Sequence, residues 1–384
     1  MHLTIIRRER GNAISMDVYA DNLVSELRQI RPHWTITEIA PDPWWDGEDS
    51  SWHSGTGLRK YYERFWHHPR QVKQQETDLF HIIDHSNAHV AYWLTRLGKP
   101  IVVTCHDLVQ FIYPELLREQ ARFPAFSTAM LNYSVRGMLK ANQVITVSSN
   151  TANDVETILG IERQKITVIP NGTDKHFHPL PKGSVEHLRQ TYTTSPDEIC
   201  LLNVGSSHHR KNLVTVLKVL HTLIQQGISI RLWKAGDDFT ADQKAFIQTH
   251  QLEQKVTYLG KPTPDLLLEI YNAADILIAP SLYEGFGLTV LEAMACGAPV
   301  ITSNVSSLPE VAGDAAILVD PIDVQAMSEA ILQLRNTASY RQVLREKGME
   351  RVCKFTWRQT AEQVAQVYEN LTTSVSLHPA ETVS

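Results

Sequence analysis

Short apolar runs alternate along the chain with stretches in which apolar residues recur every three or four positions. The runs have the length of buried strands, and the other stretches have the spacing of amphipathic helices. Such an alternation favours parallel sheets with crossover helices. The runs form two sets, at 3–6, 79–83, 101–104, 143–147 and 166–169, and at 199–204, 229–235, 255–259, 276–279, 299–302 and 316–319. The pattern therefore predicts two doubly wound α/β domains.

The periodicity is interrupted between Pro179 and Pro196 by prolines, Gly183 and polar residues, which predicts a domain boundary there. The two domains are expected at residues 1–182 and 195–355. A last helix is expected at 356–372, because Trp357, Ala361 and Val364 have helical spacing. Residues 373–384 are predicted to be a disordered tail.

Composition narrows the class of protein. Hydrophobic residues make up 43% and charged residues 20% of the 384 residues, as in globular proteins. The net charge of −6 argues against nucleic acid as the main partner. The four cysteines include no C-x-x-C pair, so we expect reduced thiols. No apolar stretch has the length of a signal peptide or a membrane span, which predicts a cytoplasmic protein and still allows peripheral association with the inner face of a membrane.

The stretch 281–300 carries the strongest chemical signal. It places Glu284 and Glu292 on either side of a glycine turn that follows the strand at 276–279. Gly285 and Gly287 leave room for a ligand beside the backbone, and a helix is expected from Leu288. Free N–H groups at a helix N-terminus suit a phosphate, whereas carboxylates are better placed to accept hydrogen bonds from sugar hydroxyls. The expected ligand therefore combines phosphates with hydroxyls.

A second polar turn follows the strand at 199–204. Gly205 and Ser206 lead to the basic pair Arg210 and Lys211, just before the expected helix. Ligands of open α/β sheets bind outside the carboxyl ends of the strands, so the pair is predicted to lie where a diphosphate binds. An exposed basic pair on a loop is the alternative.

The first domain offers fewer candidates. The strand at 101–104 is followed by His106 and Asp107, which we expect at a ligand-facing edge unless the histidine is only structural. A Gly11-Asn12 turn after the first strand is an equally open candidate for backbone contacts to a ligand. The segment 44–66 is rich in tryptophan, and its rings either pack a long loop onto the domain or stack on an acceptor or a membrane.

The glutamate, seven residues, glutamate spacing of Glu284 and Glu292, together with 280–288, 292–300 and 307–313, resembles the signature of retaining glycosyltransferases of family 4. The resemblance implies the GT-B fold, in which two Rossmann-like domains face a central cleft and the C-terminal helix crosses back to the first domain. The first domain is then the acceptor side and the second binds a nucleotide sugar.

The resemblance also assigns roles to individual residues. Lys211 and Arg210 would bind the diphosphate, Glu284 the donor sugar and Glu292 the ribose, and His106 would contact the sugar near the reaction centre. The turn residues Gly205, Gly285, Phe286, Gly287 and Leu288 would line the donor. Many family members have arginine where this chain has Ser206, so here the second positive charge must come from Arg210 or elsewhere.

The implied function is transfer of a hexose, with mannose from GDP-mannose favoured, to a saccharide or lipid-linked hydroxyl. The chain has no D-x-D motif, and we expect no metal site and no cofactor besides the donor. A UDP-glucose-dependent glucosyltransferase, a GT-B sugar-nucleotide epimerase and a non-catalytic sugar-nucleotide-binding subunit remain alternatives.

Overall fold

The computed structural model describes residues 1–9, 14–41, 57–115, 124–181, 183–193, 195 and 197–377. Two compact units make up the chain, the first formed by Met1–Gly172 with Trp357–Ser384 and the second by Thr173–Thr356. The division lies earlier than the interval 179–196 in which the sequence predicts it. Residues after Thr173 are held by second-unit contacts instead, such as the bond from the Leu180 N–H to Asn272 Oδ1 at 2.8 Å.

The first unit contains a six-stranded parallel sheet in the order β2-β1-β3-β4-β5-β6. Its strands are β1 His2–Ile6, β2 Thr35–Ile39, β3 Leu79–Ile82, β4 Ile101–Cys105, β5 Gln143–Thr146 and β6 Ile166–Val168. Five of them confirm predicted runs. The edge strand β2 was missed, because its sequence Thr-Ile-Thr-Glu-Ile alternates polar and apolar residues and contains no apolar run.

Helices cover this sheet. The α-helices are α1 Ile14–Ile30, α2 Gly57–Tyr62, α3 His68–Lys73, α4 Ala91–Leu94, α5 Val109–Ile112, α6 Pro124–Arg136 and α7 Ser149–Leu159. A π-helical turn at Glu63–His67 joins α2 to α3, and 3₁₀ turns occur at His85–Val90, Thr95–Leu97, Gly137–Lys140 and Arg163–Lys165.

The second unit repeats the architecture with a parallel sheet in the order β12-β11-β10-β7-β8-β9. The strands are β7 Ile199–Gly205, β8 Ile230–Gly236, β9 Val256–Tyr258, β10 Ile276–Ala279, β11 Val300–Ser303 and β12 Ile317–Val319, and all six confirm the second set of runs. The α-helices are α8 Glu186–Tyr192, α9 Leu213–Gln225, α10 Ala241–Thr249, α11 Pro264–Ala273, α12 Leu288–Ala295, α13 Leu308–Ala312, α14 Val324–Asn336 and α15 Ala338–Val352, with 3₁₀ turns at His209–Lys211 and Glu253–Lys255.

The C-terminal helix α16, Trp357–Leu377, belongs to the first unit. Ala361, Val364 and Tyr368 are fully buried in the same apolar cluster as Leu23 and Leu27 of α1. The predicted tail at 373–384 was wrong at its beginning, because the helix continues to Leu377. Residues 378–384 lie outside the described residues. In the part of the chain that the structure describes, no helix is long and apolar enough to cross a membrane.

Candidate functional site

The carboxyl ends of β7 and β8 lie against each other through two glycines. Gly205 and Gly236 have φ angles of 123° and 108°, a region that L side chains rarely adopt. A Cβ on Gly236 would lie 2.2 Å from the Gly205 carbonyl oxygen, so only glycine fits there. That oxygen accepts hydrogen bonds from the Asp237 N–H at 3.1 Å and from Lys234 Nζ at 2.6 Å. The end of β7 is thereby fixed on one side.

The basic pair lies on the 3₁₀ turn His209–Lys211, between β7 and α9. Asn212, which precedes α9, has a left-handed φ of 56° and gives the helix no side-chain cap. Its amide instead donates to the carbonyls of Pro280, at 3.1 Å, and Pro321, at 2.5 Å. The Leu282 N–H donates to the Arg210 carbonyl at 2.7 Å. These bonds join the basic turn to the loop that follows β10.

Glu284 is the centre of the site. Its Oε1 accepts hydrogen bonds from Lys211 Nζ and, at 2.7 Å, from Ser281 Oγ, while Arg210 Nη1 contacts Oε2 at 2.9 Å. Arg210 also donates to the Tyr283 carbonyl at 3.2 Å. The structure therefore brings Arg210, Lys211 and Glu284 together, although the sequence suggested that they would contact different parts of a ligand.

The electrostatics of Glu284 follow from its neighbours. Only 8% of the residue is exposed, and burial alone would raise the pKa of its carboxyl group. The charges of Lys211 and Arg210, with hydrogen bonds from Lys211 and Ser281, outweigh burial and lower this pKa to about 2. Glu284 is therefore a carboxylate at neutral pH.

Two serines hold the glycine loop in shape. Ser306 Oγ donates to the Glu284 carbonyl at 2.7 Å and lies 3.0 Å from the Glu284 N–H. Ser307 Oγ bridges the carbonyls of Glu284, at 2.9 Å, and Phe286, at 2.7 Å. With these carbonyls engaged, the loop has a fixed course into α12.

Helix α12 begins directly after Gly287, whose φ is 116°. A Cβ there would lie 2.9 Å from a methyl carbon of Leu308. The first N–H groups of a helix have no partner within the helix, and the dipole places partial positive charge at this end. The turn 285–288 can therefore accept an anionic group.

Glu292 lies on α12, one turn beyond its beginning. Its Oε2 accepts a hydrogen bond of 2.7 Å from the Tyr271 hydroxyl. Burial raises the pKa of Glu292, and the Tyr271 hydrogen bond only partly opposes it. The hydrogen bond from Tyr271 orients the carboxyl group of Glu292. Glu292 lies in the same unit as Glu284.

Two further polar groups lie near the end of β7. Ser206 Oγ is buried and has no hydrogen-bond partner among the described residues, so this hydroxyl can donate to a phosphate oxygen. The Lys234 side chain is fully buried, and burial lowers its pKa to about 8, against the opposing charge of Asp237. Among the residues that the structure describes, the end of β7 therefore offers one unpartnered hydroxyl, at Ser206.

In the first unit, His106 follows β4. Its Nε2 is 2.8 Å from the Ile83 carbonyl oxygen, which can only accept, so Nε2 carries a proton. Burial lowers the pKa of His106, although the charge of Asp84 opposes this effect. A neutral ring protonated at Nε2 has an unprotonated Nδ1, which can accept a hydrogen bond.

Of the other first-unit candidates, some lie within the described residues and some do not. Asp107 Oδ1 accepts from the Val109 N–H at 3.1 Å and so begins the turn of α5. Gly11 and Asn12 lie outside the described residues, as do Trp44, Trp45 and Trp52. In the ranges that the structure does describe, no three His, Cys, Asp or Glu side chains are grouped so that they could hold a metal ion.

The sequence did not identify several residues of the site. Ser281, Ser306 and Ser307 are polar residues in a motif of glutamates and glycines, where serine is common. Lys234 interrupts the apolar strand β8, and Tyr271 carries a hydroxyl within the apolar face of α11. A buried polar group needs a partner, so the last two were signals that sequence reasoning could have used.

Two protein-family models match the chain. Residues 18–177 match the family model described as Glycosyltransferase Family 4, and residues 184–351 match that described as Glycosyl transferases group 1. O-antigen chain mannosyltransferase B of Escherichia coli is 28% identical over 311 residues, covering 79% of this chain and 78% of that protein. The serotype-specific mannosyltransferase WbdA of Escherichia coli is 26% identical over 277 residues, which cover 70% of this chain and 33% of that longer protein.

Solved structures share the fold. Sucrose-phosphate synthase from Thermosynechococcus elongatus has a TM-score of 0.75 at 22% identity, covering 97% of this chain and 100% of that one. Anabaena HepE in complex with UDP and glucose has a TM-score of 0.75 at 17% identity, covering 96% of this chain and 100% of that one. The two family models, the glutamate motif and the two parallel-sheet units agree, and the chain belongs to the glycosyltransferases of family 4, with the GT-B fold.

Proposed function

We propose that this glycosyltransferase transfers a hexose from a nucleoside diphosphate sugar to a hydroxyl acceptor with retention of configuration and without a metal ion. The observation that carries the proposal is the contact of Glu284 with both Lys211 and Arg210 beside the N-terminus of α12. Two cations, free N–H groups and an acidic group at one sheet edge suit a ligand that carries both phosphates and hydroxyls.

The ion pairs have a consequence for binding. Before the donor binds, the Glu284 carboxylate compensates one of the two positive charges, which limits the cost of keeping these groups partly buried and leaves an excess positive charge. A diphosphate brings negative charge that can share Lys211 and Arg210. Glu284 can then accept hydrogen bonds from hydroxyls of the donor sugar. The cations interact most strongly with the charge that develops on the leaving diphosphate, which is differential binding of the transition state.

The remaining residues take the roles that the family resemblance implies. The N–H groups of Phe286, Gly287 and Leu288 bind the phosphates, and Glu292 binds the ribose in the orientation that Tyr271 gives it. We propose that Gly205 and Ser206 line the diphosphate. His106 orients the donor sugar, with Nδ1 as the acceptor.

In the proposed reaction, the bond from the anomeric carbon to the diphosphate oxygen breaks, and a bond to the acceptor oxygen forms on the same face. The leaving diphosphate takes the acceptor's proton. No metal ion enters this scheme, because Lys211, Arg210 and the helix N-terminus balance the leaving charge.

We favour GDP-mannose as the donor. Two relatives are named as mannosyltransferases, O-antigen chain mannosyltransferase B and the serotype-specific WbdA, and they support mannose as the transferred sugar. The proposed acceptor is a saccharide or lipid-linked hydroxyl. UDP-glucose is the alternative, which is supported by the likeness to HepE in complex with UDP and glucose.

A panel of nucleoside diphosphates and their sugars, read by thermal shift and by transfer of labelled hexose, tests the proposal. Only a ligand that binds the folded protein stabilises it by mass action. We expect GDP and GDP-mannose to raise the Tm, and a transferred mannose with the donor's anomeric configuration. Inverted product contradicts retention, and activity that chelator abolishes and magnesium restores contradicts the metal-free scheme.

The Glu284→Ala variant separates the proposed roles within the site. It should impair transfer while leaving the bare nucleoside diphosphate bound. Conversion of the donor without any acceptor would favour an epimerase. Donor binding with neither transfer nor slow donor hydrolysis would favour a non-catalytic subunit.

A further inference from the structure

A cluster of aromatic rings covers one surface of the first unit. Tyr62, Trp66, Phe126 and Tyr133 are 56%, 46%, 50% and 46% exposed, although they belong to three different helical segments. Single exposed rings are ordinary on protein surfaces, whereas a group of neighbouring rings marks an interaction site. We call this the aromatic surface.

Ring contacts show that the aromatic surface is continuous. Trp66 packs edge-on against Trp93 with centroids 5.3 Å apart, and Tyr133 stacks on Tyr92 at 5.1 Å. Phe65 lies 6.1 Å from Tyr133 and 6.0 Å from Tyr61, whose ring meets Phe126 edge-on at 5.1 Å. Ring contacts therefore join the segments 57–73, 91–99 and 124–140.

The charge of these segments is opposite to that of the whole chain. They contain nine Lys or Arg residues and a single acidic residue, Glu63, in a chain of net charge −6. Of the eight basic side chains whose burial the structure describes, seven are exposed. Glu63 is itself paired with His67 at 2.7 Å. Residues 1–180 contain 19 Lys or Arg and 20 Asp or Glu, so the local excess does not show in the net charge of that half.

The exposed cations are free to meet an outside partner. Within the described ranges, Arg70, Lys73, Arg136 and Lys140 form no ion pair with a carboxylate. Arg70 instead lies over the Trp66 ring, 4.6 Å from its centroid. Tryptophan and tyrosine favour the boundary between lipid and water, and Lys and Arg are attracted to anionic headgroups.

We propose that the aromatic surface docks the first unit on an anionic lipid bilayer. The surface also adjoins the sheet edge that carries His106. Arg64 donates to the Ser86 carbonyl at 2.6 Å, and Phe65 packs on His89 at 4.4 Å, both in the turn that follows β3. Because β3 and β4 are parallel neighbours, docking brings the carboxyl edge of this sheet close to the headgroups, where a lipid-linked acceptor is presented.

Co-sedimentation of the full chain with vesicles tests the docking, with no donor present. We expect binding to phosphatidylcholine vesicles that contain about a third phosphatidylglycerol, weak or no binding to pure phosphatidylcholine, and loss of binding as salt is raised. Since the assay needs no turnover, its failure is distinct from failure of the proposed transfer. Absent binding, or equal binding to both vesicles, overturns the proposal.

Matched variants locate the surface. Lys73→Glu with Lys140→Glu should weaken vesicle binding by roughly tenfold or more, because two attractive charges become repulsive. Lys218→Glu with Arg335→Glu makes the same charge change on exposed helical positions of the second unit and should leave binding within about twofold of wild type. If both pairs weaken binding equally, only net charge matters and the assigned surface is wrong.

The aromatic contribution is tested by Trp66→Ala with Tyr62→Ala, against Ile322→Ala with Val343→Ala as an exposed apolar control. Only the first pair should reduce binding. Donor-induced thermal shift in each variant verifies the fold, and Lys73→Gln with Lys140→Gln is the milder replacement if the reversals do not fold. Binding of soluble dextran sulfate with no binding to vesicles would identify an acidic polymer as the partner and overturn lipid docking.

Discussion

Each of the two units contains a six-stranded parallel sheet, yet the carboxyl edges of those sheets differ in how their charged groups are paired. In the second unit, Glu284 is held by Lys211 and Arg210, and all three lie within one ion-paired group. In the first unit, Arg8 pairs with Asp84 at 3.5 Å after β1 and β3, and the imidazoles of His81 and His106 are neutral. His81 bonds Tyr368 and Thr104, and burial lowers its pKa to about 3.

The same architecture therefore carries two arrangements of charge. In the second unit two cations share one carboxylate, which leaves positive charge to balance a diphosphate, whereas in the first unit Arg8 is paired with Asp84 and the neutral imidazoles can orient hydroxyls. If the comparison is right, charge-removing changes in the second unit should reduce turnover more than changes to hydrogen bonding in the first.

The largest effect is expected for Lys211→Ala, which should lower kcat by about 100-fold or more because a contact to the developing negative charge is lost. Lys218→Ala, an exposed lysine on α9, is the control and should keep wild-type turnover. Steady-state kinetics on samples with a verified Tm make the measurement. Near wild-type turnover for Lys211→Ala would remove its proposed role.

The second effect is on the free energy of unfolding, to which the Glu284 ion pairs contribute. The pKa of Glu284 is lowered to about 2 from 4.5, so its contribution is present above about pH 4.5 and is lost as pH falls towards 2. The unfolding free energy of wild type should exceed that of Glu284→Gln by about 3 kcal/mol at most at pH 7, and the difference should shrink below pH 4.5. Denaturant titrations at several pH values measure it. In a Lys211→Met background the pH dependence should be smaller, and an unchanged dependence would contradict the assigned partners.

A smaller effect is expected for His106→Gln. This change keeps an N–H donor for the Ile83 carbonyl but removes the Nδ1 acceptor. We expect kcat to fall by about tenfold, as for loss of one hydrogen bond in the transition state, with unchanged affinity for the bare nucleoside diphosphate. Calorimetry measures the affinity for the nucleoside diphosphate, and steady-state kinetics measure kcat. His33→Gln, an exposed position in the same unit, is the control. A loss in nucleotide affinity equal to the loss in kcat would place His106 in another role.

The smallest effect is expected for Tyr271→Phe, which removes the hydroxyl that orients Glu292. We expect KM for the donor to rise about threefold with kcat nearly unchanged, because a single neighbouring hydrogen bond is lost. Tyr340→Phe on α15 is the control. A fall in kcat without a change in KM would show that Glu292 acts in the chemical step instead of in binding.

Much of the fold could be predicted from apolar runs. All six strands of the second unit and five of the first were found, because parallel strands buried on both faces have few polar residues. Strand β2 was not found, since its alternating residues reflect an edge position. The helix beyond 372 was missed because its residues include threonines and serines, which have low helix propensity. In the helix, the Thr372 hydroxyl donates to the Tyr368 carbonyl at 2.9 Å and the Thr373 hydroxyl to the Glu369 carbonyl at 2.8 Å.

The main residues of the candidate site were predicted from the sequence. The residues that hold them in place were not. The motif around Glu284 is one short stretch of sequence, and the pair Arg210 and Lys211 is another. Together they are sufficient to suggest a ligand that contains phosphate and sugar. Ser306 and Ser307 could not be found in this way, because they reach Glu284 from a loop more than twenty residues further along the chain. Their hydroxyls have a role only where the fold brings carbonyls within reach.

Local patterns of residues are enough to establish the strands and helices, the glycine turns and the types of charged group at the end of each strand, because these depend on neighbouring residues. The pairing of Glu284 with both cations, the bond from Tyr271 to Glu292 and the grouping of aromatic and basic residues follow from the folded arrangement. Those contacts join residues that are distant in the chain. Hydrogen bonds and ion pairs form over only a few ångströms, so the folded arrangement of the strands, and not the order of residues, selects the partners.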